Sequence, residues 1–249
     1  MSSPARTTAG KGSQHPGPPL AAPATAFAVL FIATLVVSPL LGSGSLPSPF
    51  AGPAVIQHYF STSHHASEVN GFLMFLSAVS LALFSAIALS RLDYLAPNAP
   101  GPAIGGVSGI VASVFLAVSA MIQWVLSRPA VTDEPALVRA LQYLMFLSGG
   151  PAHTAALGFM VFGIAITSWF LRRLPRWLSV VGIVIAAVAV LSTVTMVASG
   201  LAPLVPIGRF AAMAWTVLMS VLLPRNRAPR RQAAARGNDA AARPANATT

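Results

Sequence analysis

Apolar residues gather along this chain into six long runs, near residues 21–42, 71–90, 104–127, 151–171, 177–198 and 207–223, with the polar and proline-rich stretches between them. Each run is long enough to cross roughly 30 Å of hydrocarbon as a helix rising 1.5 Å per residue. Helices are required there, because lipid offers no hydrogen-bonding partner to an open strand edge. None of the five acidic residues (Glu68, Asp93, Asp133, Glu134, Asp239) falls inside a run. A carboxylate at a span centre costs about 2.5–3.5 kcal/mol, so their exclusion fits the assignment. The expected fold is all-α, a polytopic transmembrane bundle of about six spans over residues 20–224. The first run is longer than a signal-peptide core, and Ser38–Ala51 has a poor cleavage pattern, so it is expected to stay as a span.

The fourth run has an unusual approach. From Ala136 to Leu171 the pattern is apolar and helical, and it is interrupted by Gly149-Gly150-Pro151. This predicts an outer amphipathic segment, then a break, then a span opening on proline. A re-entrant half-helix is the alternative. Two short echoes hint at duplication: Leu73–Ser77 (LMFLS) recurs at Leu144–Ser148, and Gly109-Ile110-Val111 recurs at Gly182-Ile183-Val184.

Composition agrees with a lipid solvent. Of 249 residues, 55% are hydrophobic and 8% charged, and mean hydropathy is +0.73; soluble domains carry about 25% charged residues. Residues 1–19 and 225–249 lack an apolar period and read as disordered tails, the second one basic. The net charge of +10 sits in tails and turns. That placement points to topology and to anionic lipid at the C-terminal tail, not to nucleic acid. With the N-terminus inside, twelve basic residues lie on the inner side (among them Arg6, Lys11, Arg91, Arg172, Arg173 and Arg176). Three, Arg128, Arg139 and Arg209, lie on the outer side. The positive-inside rule then puts both termini in the cytoplasm. Tyr94, Trp124, Trp169 and Trp177 fall at span ends, as an interfacial belt requires. There is no cysteine, which excludes disulfides, thiolate metal sites and a cysteine nucleophile.

Four stretches of punctuation carry a resemblance: Pro47-Ser48-Pro49-Phe50, Gly149-Gly150-Pro151, Leu174-Pro175-Arg176-Trp177-Leu178 and Gly208-Arg209-Phe210. Over residues 25–224 the chain resembles a family of uncharacterised six-helix bacterial integral membrane proteins. The resemblance implies a bacterial cytoplasmic membrane. It brings no activity and no functional residue.

Candidate chemistry concentrates on the outer face. His58, His64, His65 and Glu68 crowd the segment before the second run, and His153 follows the Gly-Gly-Pro break. Imidazole and carboxylate suit a divalent transition metal or a proton relay, the one cofactor option the chain offers; no cofactor is otherwise implied. The competing reading makes the outer histidines a solvated helix start, with Ser63 as N-cap and Glu68 favoured by the helix dipole. It has His153 bonded to carbonyls freed by the break. Arg209 near the last span reads as an anion site, as a side chain snorkelling to the interface, or as an ion pair with Glu68, Asp133 or Glu134, the pair being favoured. Gln123 and Ser192-Thr193-Thr195 read as helix-packing groups, and Gly105/Gly109 as a close-approach spacing.

Three functions stay open on these residues. A scaffold or partner subunit needs only packed helices and a basic tail, and it leads. A small-molecule or ion transporter draws on the broken helix and the echoes. A metal-binding intramembrane enzyme would use the outer histidines.

Overall fold

The structure, a computed structural model, describes residues 19–96, 99–171 and 175–222. Both expected tails, apart from Pro19, and Arg172, Arg173 and Leu174 lie outside the described residues, as does the side chain of Tyr94. Among the described residues every regular element is helical. Six helical segments are long and apolar enough to cross a membrane, so the chain is a multi-pass membrane protein built as a helical bundle.

Helix α1 covers Ala21–Leu41, and the short α2, Pro53–Thr62, follows. Helix α3 runs His64–Leu95, well beyond the expected 71–90, because the polar residues at both its ends continue the helix into the interfaces. Helix α4 is Pro100–Val125 and the single turn α5 is Pro129–Thr132. Helix α6, Pro135–Leu147, meets α7, His153–Leu171, across a π-helical segment, Ser148–Ala152. There Gly150 leaves helical geometry at φ −88°, ψ −105°, so the break sits where Gly149-Gly150-Pro151 predicts it. Helix α8, Arg176–Leu191, tightens into a 3₁₀ turn at Ser192–Met196, and α9 is Leu204–Leu222.

Helix α2 is absent from the sequence expectation, which reads the stretch as loop. Pro53 at its first turn fixes φ where no N–H bond is needed. Ile56, Tyr59 and Phe60 then bury one face against Leu126, Val138 and Met145. Burial pushes the Tyr59 hydroxyl pKa up, against a smaller opposing effect of its hydrogen bond to Ser38, so it stays a neutral donor.

Helix α4 packs between α3 and α7, while α1 lies against α3 and α9, and α8 against α7 and α9. Phe27, Phe84, Leu116, Leu157 and Met160 fill the middle. The outward side is apolar too: Val29, Leu40, Phe72, Val107, Phe170 and Val221 are exposed, as a lipid solvent permits. Inside the bundle Ser77 reaches the Phe27 carbonyl of α1 and Ser119 the Met145 carbonyl of α6. Several other hydroxyls bond their own helix, as Ser85 does on Leu81, Ser113 on Gly109 and Thr216 on Ala212. Ser192 and Thr193 do the same at the end of α8, and Thr195 bonds Leu201 nearby, so this patch is local rather than interhelical. The echoed LMFLS copies differ in setting: the first lies inside α3, the second runs into the break.

Trp215 ties α9 to α8. Its indole Nε1 donates to the Leu178 carbonyl at 2.9 Å, and the ring lies against Gly182. Trp215→Phe keeps most of the ring and removes the bond, and is expected to cost about 1 kcal/mol. Unfolding of the purified protein in mixed detergent micelles reads this; an unchanged midpoint would remove the bond from the account.

Candidate ligand cavity beside the broken helix

The break creates a shortage of donors. Where Gly150 turns out of the helix, the His153 amide bonds the Ser148 and Gly150 carbonyls and skips the Gly149 carbonyl that α-helical register would give it. Arg209, on the second turn of α9, meets that need. Its Nη2 donates to the Gly149 carbonyl and reaches the Gly150 carbonyl and Thr154 Oγ1, each at 3.4 Å. The guanidinium carbon lies 5.2 Å from the centre of the Phe31 ring, a cation–π contact from α1. All three hydrogen bonds come from the one nitrogen Nη2, and the buried Nε finds no partner among the described residues.

The ion pair favoured for Arg209 on the sequence is therefore corrected. Glu68 pairs instead with Arg128, at 2.6 Å, because α3 and α4 are antiparallel neighbours and the start of one meets the end of the other. The expected role of His153 is corrected as well. It is fully buried against Phe27, and its Nδ1 lies 2.9 Å from the Ala112 carbonyl of α4, not on the carbonyls of the break. Arg209 takes those.

The outer histidines stay apart. His58 and His65 are exposed, and His64 Nδ1 lies 3.0 Å from the Ser127 carbonyl, fastening the start of α3 to the end of α4. Among the described residues no three His, Asp or Glu side chains are placed to hold a metal ion. Ser63 does not cap α3 by a side-chain bond; its hydroxyl accepts from the Ser43 amide at 2.9 Å and pins the α1–α2 loop.

Beside Arg209 opens a cavity of about 200 Å³. Five helices and one loop line it. Thr34 and Ser38 come from α1, Asn70 from α3, Ser119 and Gln123 from α4, Gln142 from α6, and Arg209 from α9. Phe31, Leu35, Met74, Met145, Phe146 and Val205 supply apolar wall. Pro47 and Pro49 close part of its mouth, held by Gln142 Nε2 on the Pro47 carbonyl at 3.2 Å.

Two of its amides are underused. Asn70 donates to Ser38 Oγ, while its Oδ1 is buried without a partner among the described residues. Gln123 is 2% exposed, and no side-chain hydrogen bond joins it to the described residues. Buried polar groups are normally paired, so the unpaired Asn70 Oδ1 and Arg209 Nε around one space, with the unbonded Gln123 amide beside them, suit it to a polar guest. The lining contains Arg209 as its one ionised side chain and no carboxylate, so the cavity is electropositive.

Sequence reasoning found Arg209 and the glycine–proline break but did not join them. It read Gln123 as packing and passed over Asn70 and Gln142. The signal available was the rarity of amides in this apolar chain, with Gln123 inside a run, Asn70 just before one and Gln142 in the apolar approach to the break.

No family model, curated protein or solved structure matches this chain.

Proposed function

We propose that this protein is a membrane transporter for a small organic anion, bound in the cavity beside the broken helix. The observation that carries the reading is Arg209: a cation inside a membrane bundle, without a carboxylate partner among the described residues, at the wall of a polar cavity. A guanidinium presents five donors in a planar fork suited to a carboxylate. Here one edge is engaged by the break and Nε is unpaired. Asn70, Gln123 and Gln142 offer amides to the rest of the anion's polar part, and Phe31, Leu35 and Met74 suit a short apolar body. A 200 Å³ space suits an organic monoanion of roughly ten heavy atoms.

Transport is favoured over catalysis by the cavity's composition, since it has no nucleophile–base pair and no acid to move a proton. It is favoured over a scaffold role because a scaffold has no use for a buried unpaired Asn70 Oδ1 and Arg209 Nε facing one cavity. A broken helix at the binding site is a recurring transporter feature. The resemblance to six-helix bacterial membrane proteins supports a bacterial cytoplasmic membrane, and the arginine distribution supports cytoplasmic termini, which turn the cavity towards the outside.

Gln123→Leu tests the reading. Removing an amide that bonds none of the described residues is expected to leave thermal stability unchanged, because no hydrogen bond within the protein is lost. The same change is expected to weaken carboxylate binding about tenfold and to slow uptake. Thermal shift of the purified protein against a series of monocarboxylates, beside uptake into proteoliposomes, measures both. If no carboxylate stabilises or crosses, or if Gln123→Leu binds like the parent, the proposal fails.

A further inference from the structure

A second opening lies away from that cavity, as a groove of about 410 Å³ on the outer surface between α3 and α4. Its two ends differ in chemistry. At one end stand His65 and Glu68, with Trp124 from α4; the walls then turn apolar through Phe72, Phe75 and Met121. From Glu68 to Phe75 the helix advances about 10 Å, so the groove passes from charged to hydrocarbon-like surface within one leaflet. Phe72, Met121 and Trp124 are exposed, at 60%, 51% and 46%.

The polar end carries both signs of charge. Arg128 holds Glu68 at 2.6 Å and stacks over the Trp124 ring, its guanidinium carbon 4.0 Å from the centroid. Both members of the pair are partly open, 38% and 47% exposed. Each therefore keeps capacity for a further contact: the carboxylate for an ammonium, the guanidinium for a phosphate.

From this we infer that the α3–α4 groove is a binding site for a zwitterionic phospholipid of the phosphatidylethanolamine type. The phosphate accepts from Arg128, the ammonium donates to Glu68, and an acyl chain follows Phe72, Phe75 and Met121. The volume lies within the range of small-molecule sites. A headgroup with a phosphate and no ammonium leaves Glu68 facing an anion, so phosphatidylglycerol is disfavoured. The site rests on the Glu68–Arg128 pair and stands apart from the Arg209 cavity, with which it shares no lining residue.

Native mass spectrometry of the full chain, released from detergent with equal amounts of synthetic phosphatidylethanolamine and phosphatidylglycerol, tests the site. The parent is expected to retain phosphatidylethanolamine about fivefold over phosphatidylglycerol, the weight of one charge contact at a membrane surface. Glu68→Gln removes the ammonium partner and frees Arg128, and is expected to turn the preference towards phosphatidylglycerol. Met121→Trp, in the apolar wall and away from the ion pair, is expected to lower retention of both lipids. Gln123→Leu is expected to leave retention at the parent level, which separates this site from the anion cavity. Equal retention of the two lipids by the parent, an unchanged ratio in Glu68→Gln, or full retention in Met121→Trp would each overturn the assignment.

Discussion

Arg209→Met is expected to weaken organic-anion binding about 100-fold or more, and to lower stability at the same time. Both effects follow from one side chain serving two acceptors. On the ligand side, the variant removes the only cation at the cavity wall. Truncating one partner of a buried charge-assisted pair costs about 2–5 kcal/mol, which at the lower end is already about thirtyfold in affinity. On the protein side, the Gly149 carbonyl loses its Arg209 donor, while the Gly150 carbonyl keeps the His153 amide. A buried acceptor left unpaired costs about 1–3 kcal/mol. Arg209→Lys separates the two roles. An ammonium keeps the charge and satisfies the break, but as a point donor it does not fork between carbonyl and ligand. Stability is expected to recover most of the way, while binding stays about tenfold below the parent. Thermal unfolding in detergent, with and without a saturating monocarboxylate, reads both quantities. Parent-like carboxylate stabilisation in Arg209→Met would detach the cation from ligand binding.

The spans were legible because lipid imposes a simple rule: long runs without charge, helical throughout. The six helices found lie on the six runs, with ends shifted where polar residues extend a helix past the hydrocarbon, as in α3. The break was legible because Gly149-Gly150-Pro151 removes a donor and stiffening side chains at one point. Partnerships across helices were not. Periodicity does not say that Arg209 faces the break on another helix, or that Glu68 meets Arg128, since both depend on which helices pack side by side. The histidine cluster illustrates the converse. Its residues are close in sequence, yet the turn at Ser63 sends His58 along α2 and His64 and His65 along α3. Gln123 looks the same in sequence whether it packs or lines a cavity; only the space beside it distinguishes the two.

Gly163→Ala is expected to be the more damaging of the changes that add a single methyl group. Glycines on α4 and α7 face each other where the two helices come closest: a Cβ at position 163 would press on the backbone of Gly105 and Gly101. Backbone atoms in mid-helix have no rotamer to escape into, so the helices must separate. In a bilayer the loss is chiefly of dispersion contacts, because lipid tails are as apolar as the side chains they would replace. Overpacking of this kind costs about 1–3 kcal/mol, and a larger substituent at the same position costs more. The consequence extends to the candidate site, because α4 carries Ser119 and Gln123 while α7 continues from the break. Gly182→Ala is the comparison, since its Cβ would meet the Trp215 and Ala165 side chains rather than backbone. The Trp215 ring can tilt about its side-chain torsions, which mid-helix backbone cannot, so a loss is expected there too but a smaller one. Unfolding midpoints and carboxylate affinity measured on both variants decide the matter. If Gly163→Ala leaves both as they are in the parent, the α4–α7 contact does not set the cavity's geometry.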